Sequence, residues 1–545
     1  MENKINLLKS YSRAIAHMRN QIKHDRFGLV FGAGISRDFG FPLWNELIKR
    51  IGKNKKVNGN NILDAIKSKT SVSQLLYQSY RTKEFKKYGN EYSEYDKFNS
   101  HVQAGWHQIV HDALYKDVPN DIEKLQNLDK YICEYFDIIK KIKLTVNYNF
   151  DDTIQLLLAH QRTEDEKKSA RGFRTVWDSD IQLYPQQGVI YHPNGYLPQN
   201  INDRTSDELI FLEDSFSDQL IDSVSGHYSL LSYYFSQNTC LFLGHSLEDS
   251  TLKHLLRKNA QMHPGHVHYY VYFLKDGTVI DEEHKKAIID ANFEVYNLIT
   301  LFLTAEEIKN LAKLIKCEKE DYEMISDRAG TNTSYKFFLT GSVCVGKSTA
   351  TTLFRSLQTH DEWLEPRIDG MEKDPSLLTD EEKIKQIDEW VVDQWQNKNF
   401  HLSRKASHGV HIIDRCALDA FAFTPESKWV EKATFTIKGI TPDSSRIELV
   451  KGAVILLIGD PDIMAVRALK LNKSFTSDKL DKMQNLLKIV YNDSVQGIIY
   501  LDTRNKTPQR VAKQVARIIH ITDYEECDLQ KRLVEIETGI VKPDN

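Results

Sequence analysis

The sequence predicts two α/β domains in tandem, each a mostly parallel sheet covered by helices. Three observations predict it. The chain has 545 residues, more than one hydrophobic core ordinarily organises. Short apolar runs alternate with helical patterns, as strands do when a crossover returns each one parallel to the last. The alternation stops at residues 317–334 (CEKEDYEMISDRAGTNTS), which are charged and then small and polar, and it restarts behind them. Domains are therefore expected at 1–320 and 335–545, with 321–334 as a linker.

In the first domain, residues 5–24 read as a polar amphipathic helix, 27–31 as a strand, and 43–51 as a helix opened by Pro42. Residues 52–135 are rich in Lys, Tyr and Asn and read as a helical insertion. Further strands are expected at 141–148, 188–192, 208–212, 239–243 and 266–274, with helices at 152–161, 228–236, 249–260 and 305–316. In the second domain, strands are expected at 335–340, 410–413, 453–458 and 497–501. No internal repeat is present.

Composition narrows the function. Lys and Arg number 72 against 76 Asp and Glu, a net charge of −4, which argues against a nucleic-acid coat or a polybasic membrane protein. Hydrophobic residues make up 41%, enough to build cores. No apolar run is long enough to span a bilayer, and Met1-Glu2-Asn3-Lys4 opens no signal peptide, so a cytoplasmic protein is expected. Cysteines at 133, 240, 317, 344, 416 and 527 form no C-x-x-C pair. Neither zinc nor a disulfide framework is expected.

Gly341-Ser-Val-Cys-Val-Gly346-Lys347-Ser348 fits G-x-x-x-x-G-K-[ST] between a strand and a helix, with Thr349 next. Such glycines let backbone N–H groups wrap a phosphate, the lysine reaches the terminal phosphates, and the serine hydroxyl serves Mg²⁺. Asp414-Arg415 ends a later apolar strand, where a carboxylate sits near the metal or caps the next helix. With Glu365-Pro366, Asp414-Arg415-Cys416 and Arg467, residues 335–520 resemble the deoxynucleoside and thymidylate kinase group. The resemblance implies a P-loop kinase-like sheet binding ATP or another nucleoside triphosphate with Mg²⁺, held by Gly341, Gly346, Lys347, Ser348, Thr349, Glu365, Asp414, Arg415 and Arg467. Ser348 and Asp414 would be the metal ligands. After Arg467 the chain has Lys470 and Lys473 where that group carries arginines, and lysine lacks their fork geometry. Nucleotide binding is therefore expected ahead of kinase turnover.

In the first domain, polar blocks stand at the ends of successive strands: Gly32-Ala33-Gly34-Ile35-Ser36, then Gly40-Phe41-Pro42-Leu43-Trp44, Asn149-Phe150-Asp151, His192-Pro193-Asn194-Gly195, and Gly244-His245-Ser246. Groups at the C-terminal ends of parallel strands converge on one crevice. Each residue alone also suits a structural role: Asn149 a turn, Asp151 or Asp152 a helix cap, His192 a core histidine. In this order the blocks resemble the Rossmann-like sirtuin fold, in particular sirtuin-like domains of bacterial anti-phage defence proteins. The resemblance places NAD on Gly32, Ala33, Gly34, Ser36, Phe41, Trp44, Gly244 and Ser246, with Asn149, Asp151 and His192 as catalytic residues. The position matching the sirtuin histidine is Asn194, and defence-type domains place a histidine where His192 stands. The deacylase zinc module is absent.

Taken together, the resemblances imply an NAD⁺ hydrolase releasing nicotinamide and ADP-ribose, acting as an abortive-infection effector under control of the C-terminal nucleotide-binding domain. They further imply a homo-oligomer, a phage-derived trigger, small-molecule nucleotides as ligands, and neither membrane nor nucleic acid as partner. One alternative is a nucleoside or nucleoside monophosphate kinase whose first domain senses NAD or ADP-ribose. The other is a non-catalytic sensor that binds ligands in both pockets.

Overall fold

The computed structural model describes all residues except 66–68, 90, 93, 120–129, 161–171, 179–187, 201, 226–227, 369–370, 372–379, 404–407, 441–447 and 544–545. The chain forms two compact units: His24–Ala260 with Val267–Cys317, and Met1–Lys23 with Gln261–His266 and Glu318–Asn545.

The first unit is built on a seven-stranded sheet of β1 (Phe27–Phe31), β2 (Leu144–Asn147), β3 (Phe173–Val176), β4 (Gly188–Tyr191), β5 (Thr239–Leu243), β6 (His268–Phe273) and β7 (Leu298–Leu303). The order is β3-β4-β2-β1-β5-β6-β7 and every pairing is parallel. All residues of β1, β2, β4, β5 and β7 are buried, as a sheet covered on both faces requires. Val30, Val146, Phe242, Leu255 and Leu256 belong to its core. The chain leaves β1 toward β2 on one side and β5 toward β6 on the other. The strand order therefore reverses between β1 and β5, the point where parallel sheets of this kind hold ligands in a crevice at the C-terminal ends of their strands. The insertion is helical as expected, with helices Asn60–Ala65, Lys69–Tyr88 and Tyr95–Tyr115.

Three strands escaped the sequence, β3 and β7 in this unit and a three-residue strand at Gln358–His360 in the second, and one expected strand is absent. Residues 208–212 form a loop, although their apolar spacing imitates a strand. Ile210 N donates to the Asn194 carbonyl, and the Phe211 carbonyl accepts from Ser73 Oγ. The backbone is thus engaged outside any ladder, while Phe211 packs on Trp44 and Phe150.

The second unit holds a five-stranded parallel sheet of β8 (Ser334–Gly341), β9 (Gln358–His360), β10 (Gly409–Asp414), β11 (Ala453–Ile458) and β12 (Ile498–Asp502), in the order β12-β11-β8-β10-β9. The expected linker is mostly helix, Lys319–Ala329. Its buried Tyr322, Ile325 and Ala329 fall on one face, Glu320 and Asp321 sit in its first turn, and Arg328 sits in its last, in keeping with the helix dipole. Gly330 in the left-handed region (φ 67°) closes it. The N-terminal helix Glu2–Lys23 also belongs here and not to a domain 1–320. Its His17 Nε2 and Gln21 Nε2 both meet the Ser356 carbonyl at 2.7 Å, and Ser12 Oγ accepts from Tyr335 OH at 2.6 Å.

Gly244 and Gly277 both have positive φ (66° and 78°), but a Cβ would lie 2.6 Å from Ile35 N at the first and meet nothing within 4 Å at the second. Gly277→Ala is expected to cost about 1 kcal/mol for the backbone alone, and Gly244→Ala about 1–3 kcal/mol more for the clash. Thermal unfolding of both variants checks this.

Candidate active site

The loops after β1 and β5 pack backbone against backbone. Gly32 N donates to the Leu243 carbonyl (2.9 Å) and Gly34 N to the Gly244 carbonyl (2.8 Å). A Cβ on Gly32 would lie 2.6 Å from the Gly244 oxygen, so only glycine fits there. This turn delivers Ser36, buried, to the loop after β2. Ser36 Oγ donates to Asp151 Oδ2 (2.8 Å) and accepts from Asn149 Nδ2 (3.1 Å), which also donates to the Gly32 carbonyl (3.0 Å). Asn149 thus ties the two loops together with its amide hydrogens.

Asp151 is 2% exposed and accepts from Thr153 N at 3.2 Å, so it caps the helix Thr153–His160 as well as holding Ser36. Burial raises its pKa, opposed by the bonds from Thr153 and Ser36. Its neighbour Asp152 is pushed up to about 6 by burial. The Tyr115 hydroxyl lies 3.0 Å from Asp152 Oδ1 and 2.8 Å from the Leu197 carbonyl.

His192 follows β4 and is wholly buried. Its Nδ1 lies 2.7 Å from the Asn149 carbonyl, which can only accept, so Nδ1 carries the proton and Nε2 presents a lone pair. Gln155 Nε2 donates to that lone pair at 2.7 Å. Burial lowers the imidazole pKa to about 4, with the Asn149 carbonyl opposing. Asn194, the other position weighed for the base, is occupied as a connector: its amide donates to Asp249 Oδ2 (3.4 Å) and accepts from Gln219 Nε2 (3.2 Å).

The fold therefore brings Gly32, Gly34, Ser36, Asn149, Asp151, His192 and Gly244 together. Ala33 and Ser246 are exposed on the same two loops. Phe41 and Trp44 lie outside the hydrogen-bonded network. Phe41 packs on Tyr115 (5.3 Å) and Trp44 on Phe211 (4.8 Å), which joins the glycine turn to the helical insertion. The sequence reading missed Gln155, Tyr115 and Tyr196. Tyr196 meets the His192 ring edge-on (4.9 Å) and stacks on Trp177 (5.4 Å). Beside them lies a cavity of about 400 Å³ lined by Arg174, Thr175, Trp177, Tyr196 and Arg204 among others.

Residues 143–297 match the family model of the SIR2-like domain. No curated protein matches the chain. The SIR2-like match runs from the approach to β2 to the residue before β7, and it contains Asn149, Asp151, His192, Gly244 and Ser246. A SIR2-like domain points to an NAD-related, NAD-consuming activity. The glycine turn after β1 lies outside the matched residues but inside the same crevice. Among the described residues no helix is long and apolar enough to cross a membrane.

In the second unit, β8 runs into the glycine loop and the helix Lys347–Thr351. Gly341 (φ 146°) and Gly346 (φ 112°) take conformations that favour glycine. Lys347 is buried and donates to the carbonyls of Gly341 (2.8 Å) and Ser342 (3.0 Å). Burial first, then Arg415, brings its pKa down to about 8, against Asp414, Asp419 and Glu362. Ser348 Oγ donates to Asp414 Oδ2 at 2.9 Å, while Asp414 Oδ1 is buried with no partner. Arg415 (φ 70°) pairs with Glu362. Glu365, the residue chosen from sequence, instead accepts from Gln394 Nε2 (3.2 Å). Arg467 donates to the Cys344 carbonyl (3.3 Å) and lines a cavity of about 260 Å³ with Asp460, Thr503, Arg504 and Lys506.

The raised pKa of Asp152 has a consequence for stability. The unfolded chain loses this proton near pH 4 and the folded chain near 6, so folding binds protons between them. Stability therefore falls as pH rises through this window and stays lower above it. The stability of Asp152→Asn relative to wild type is expected to grow by about 2–3 kcal/mol between about pH 4 and pH 7. Denaturant unfolding of both proteins across that range measures it.

Proposed function

We propose that the SIR2-like unit hydrolyses NAD⁺ to nicotinamide and ADP-ribose. The observation that carries this reading is the hydrogen-bonded cluster that joins the Asn149 amide, the Ser36–Asp151 pair and the His192 imidazole behind the C-terminal ends of β1, β2 and β4. Cleaving the nicotinamide–ribose bond passes through an oxocarbenium-like centre, as other glycosidic cleavages do. The glycine turn offers close backbone approach for the pyrophosphate. Asn149 orients a ribose hydroxyl or water, and Asp151 holds the loop that presents it. His192 is the base that takes the water proton. The water oxygen bonds to the ribose carbon as the carbon–nitrogen bond breaks, and nicotinamide leaves neutral with the bonding pair.

The second unit, in the same proposal, binds a nucleoside triphosphate and controls the hydrolase. Mg²⁺ fits the residues present, because Asp414 Oδ1 is a buried acceptor without partner beside the Ser348 hydroxyl. Ser348 and Asp414 would hold the ion, which would neutralise phosphate charge. A hydrolase that drains NAD⁺ harms its own cell, so a controlling ligand that binds the active state more tightly belongs to the design. An anti-phage effector, assembled as a homo-oligomer and released by a phage-derived trigger, is the setting that such control suits.

Asn149→Ala and His192→Ala are each expected to lower nicotinamide release by about a hundredfold or more, with folding verified by circular dichroism. Retained activity in His192→Ala together with loss in Asn194→Ala would show that His192 is not the base.

Lys347→Ala is expected to weaken triphosphate binding by about tenfold or more, since backbone amides cannot replace a buried cation. Calorimetry with ATP, dATP and dTTP reads it, and unchanged affinities would remove nucleotide binding from this loop.

A further inference from the structure

Gln155 stands in the first turn of the helix Thr153–His160, with its side-chain amide between β4 and β3. Its Nε2 lies 2.7 Å from His192 Nε2 and 3.4 Å from Thr175 Oγ1. Its Oε1 is buried with no partner. These contacts fix its orientation. Nδ1 holds the imidazole proton against the Asn149 carbonyl, so Nε2 is a lone pair and must be met by the NH₂ end of the amide. The opposite orientation would set the Oε1 lone pairs against the Nε2 lone pair. The arrangement leaves an acceptor buried and unpaired in order to close the basic nitrogen.

Resting on the reading of His192 as base, we propose that Gln155 is a latch on it: the amide occupies the lone pair that must take the water proton, and hydrolysis requires the amide to leave. The unpaired Oε1 gives the amide a second use. Once the proton has passed from water to Nε2, the amide can rotate so that Oε1 accepts from Nε2–H. The same side chain then opposes protonation before the reaction and supports it afterwards. Thr175 marks where the amide goes, since it already touches Nε2 of Gln155 and lines the cavity of about 400 Å³ beside Tyr196. Gln155 is a positioning residue in this scheme, acting through His192.

The titratable and charged groups on the elements around the imidazole are Tyr196 against its ring, Tyr148, Asp151 and Asp152 on the loop that carries Asn149, Tyr191 on β4, Arg174 on β3 and Asp178 after it. Burial and the Asn149 carbonyl, not a neighbouring charge, set the titration of His192. A change at residue 155 is therefore legible in that titration.

The test uses the full chain as wild type, Gln155→Glu, Gln155→Leu and His192→Gln. Nicotinamide release is followed against pH, and the His192 ring nitrogens are followed by NMR of histidine-labelled protein. A carboxylate at 155 accepts from Nε2–H and favours the charged ring. Gln155→Glu should thus move the acid limb of kcat/KM and the His192 titration upward together by about one pH unit or more. Leucine cannot donate to Nε2, so Gln155→Leu should shift both in the same direction by less and release nicotinamide several-fold faster than wild type near neutral pH. An acid limb and a His192 titration that are the same in all three proteins overturn the latch. A wild-type rate in His192→Gln overturns the reading beneath it, and is distinguishable because the ring titration would still follow residue 155.

Discussion

The backbone contact between the loops after β1 and β5 is the constraint on which the site depends. Gly32, Gly34 and Gly244 approach so closely that a methyl group at any of them would lie 2.6–2.8 Å from a backbone atom of the opposite loop. That approach sets the position of the Gly32 carbonyl, which receives the Asn149 amide, and of Ser36, which receives Asn149 and gives to Asp151. Asn149 in turn offers its own carbonyl to His192. One steric fact thus propagates through four hydrogen bonds to the imidazole, joining loops that are distant in sequence. Such a chain of contacts is stiff because the side chains in it are buried and would leave their partners unsatisfied on moving.

Much of this was legible because it is local. The glycine turn, the Asn149-Phe150-Asp151 block and His192 each follow directly on an apolar run, and the C-terminal ends of parallel strands are where such sheets gather ligand-binding groups. What the sequence hid depends on distance or on competition between patterns. β3 (Phe173-Arg-Thr-Val176) is four residues with only Val176 buried, so it carries no apolar run. β7 follows the helix Glu282–Tyr296 with Asn297 alone between them, in the left-handed region (φ 55°), and no loop signal separates the two. Residues 209–212 form an apolar run like a buried strand, yet their backbone is taken by Asn194 and Ser73. The Glu-Pro pair points the sequence reading to Glu365, whereas β9 ends at His360 and it is Glu362 that pairs with Arg415. The amphipathic pattern of Glu2–Lys23 shows that a face is buried but not what buries it. Gln155 carries no motif at all. Its meaning comes from Nε2 of a histidine 37 positions later.

The two sites hold their reactive groups in different ways, and the difference bears on control. Lys347 donates to two carbonyls of its own loop. A phosphate bound there as proposed would replace those bonds at the place where they are made, so the ligand itself would complete the exchange. Burial, with Arg415 beside it, brings the lysine down to about 8, and a phosphate bound there as proposed would favour its charged form again. His192 is held by a side chain on another element, and its substrate does not have to be what displaces that side chain. Gln155 reaches Thr175, which lines a cavity with arginines and a stacked Trp177–Tyr196 pair. A group held from the side can be released from the side. If the unit hydrolyses NAD⁺ as proposed, such a contact is where it would be governed, because occupying the substrate site alone would then not suffice to start it.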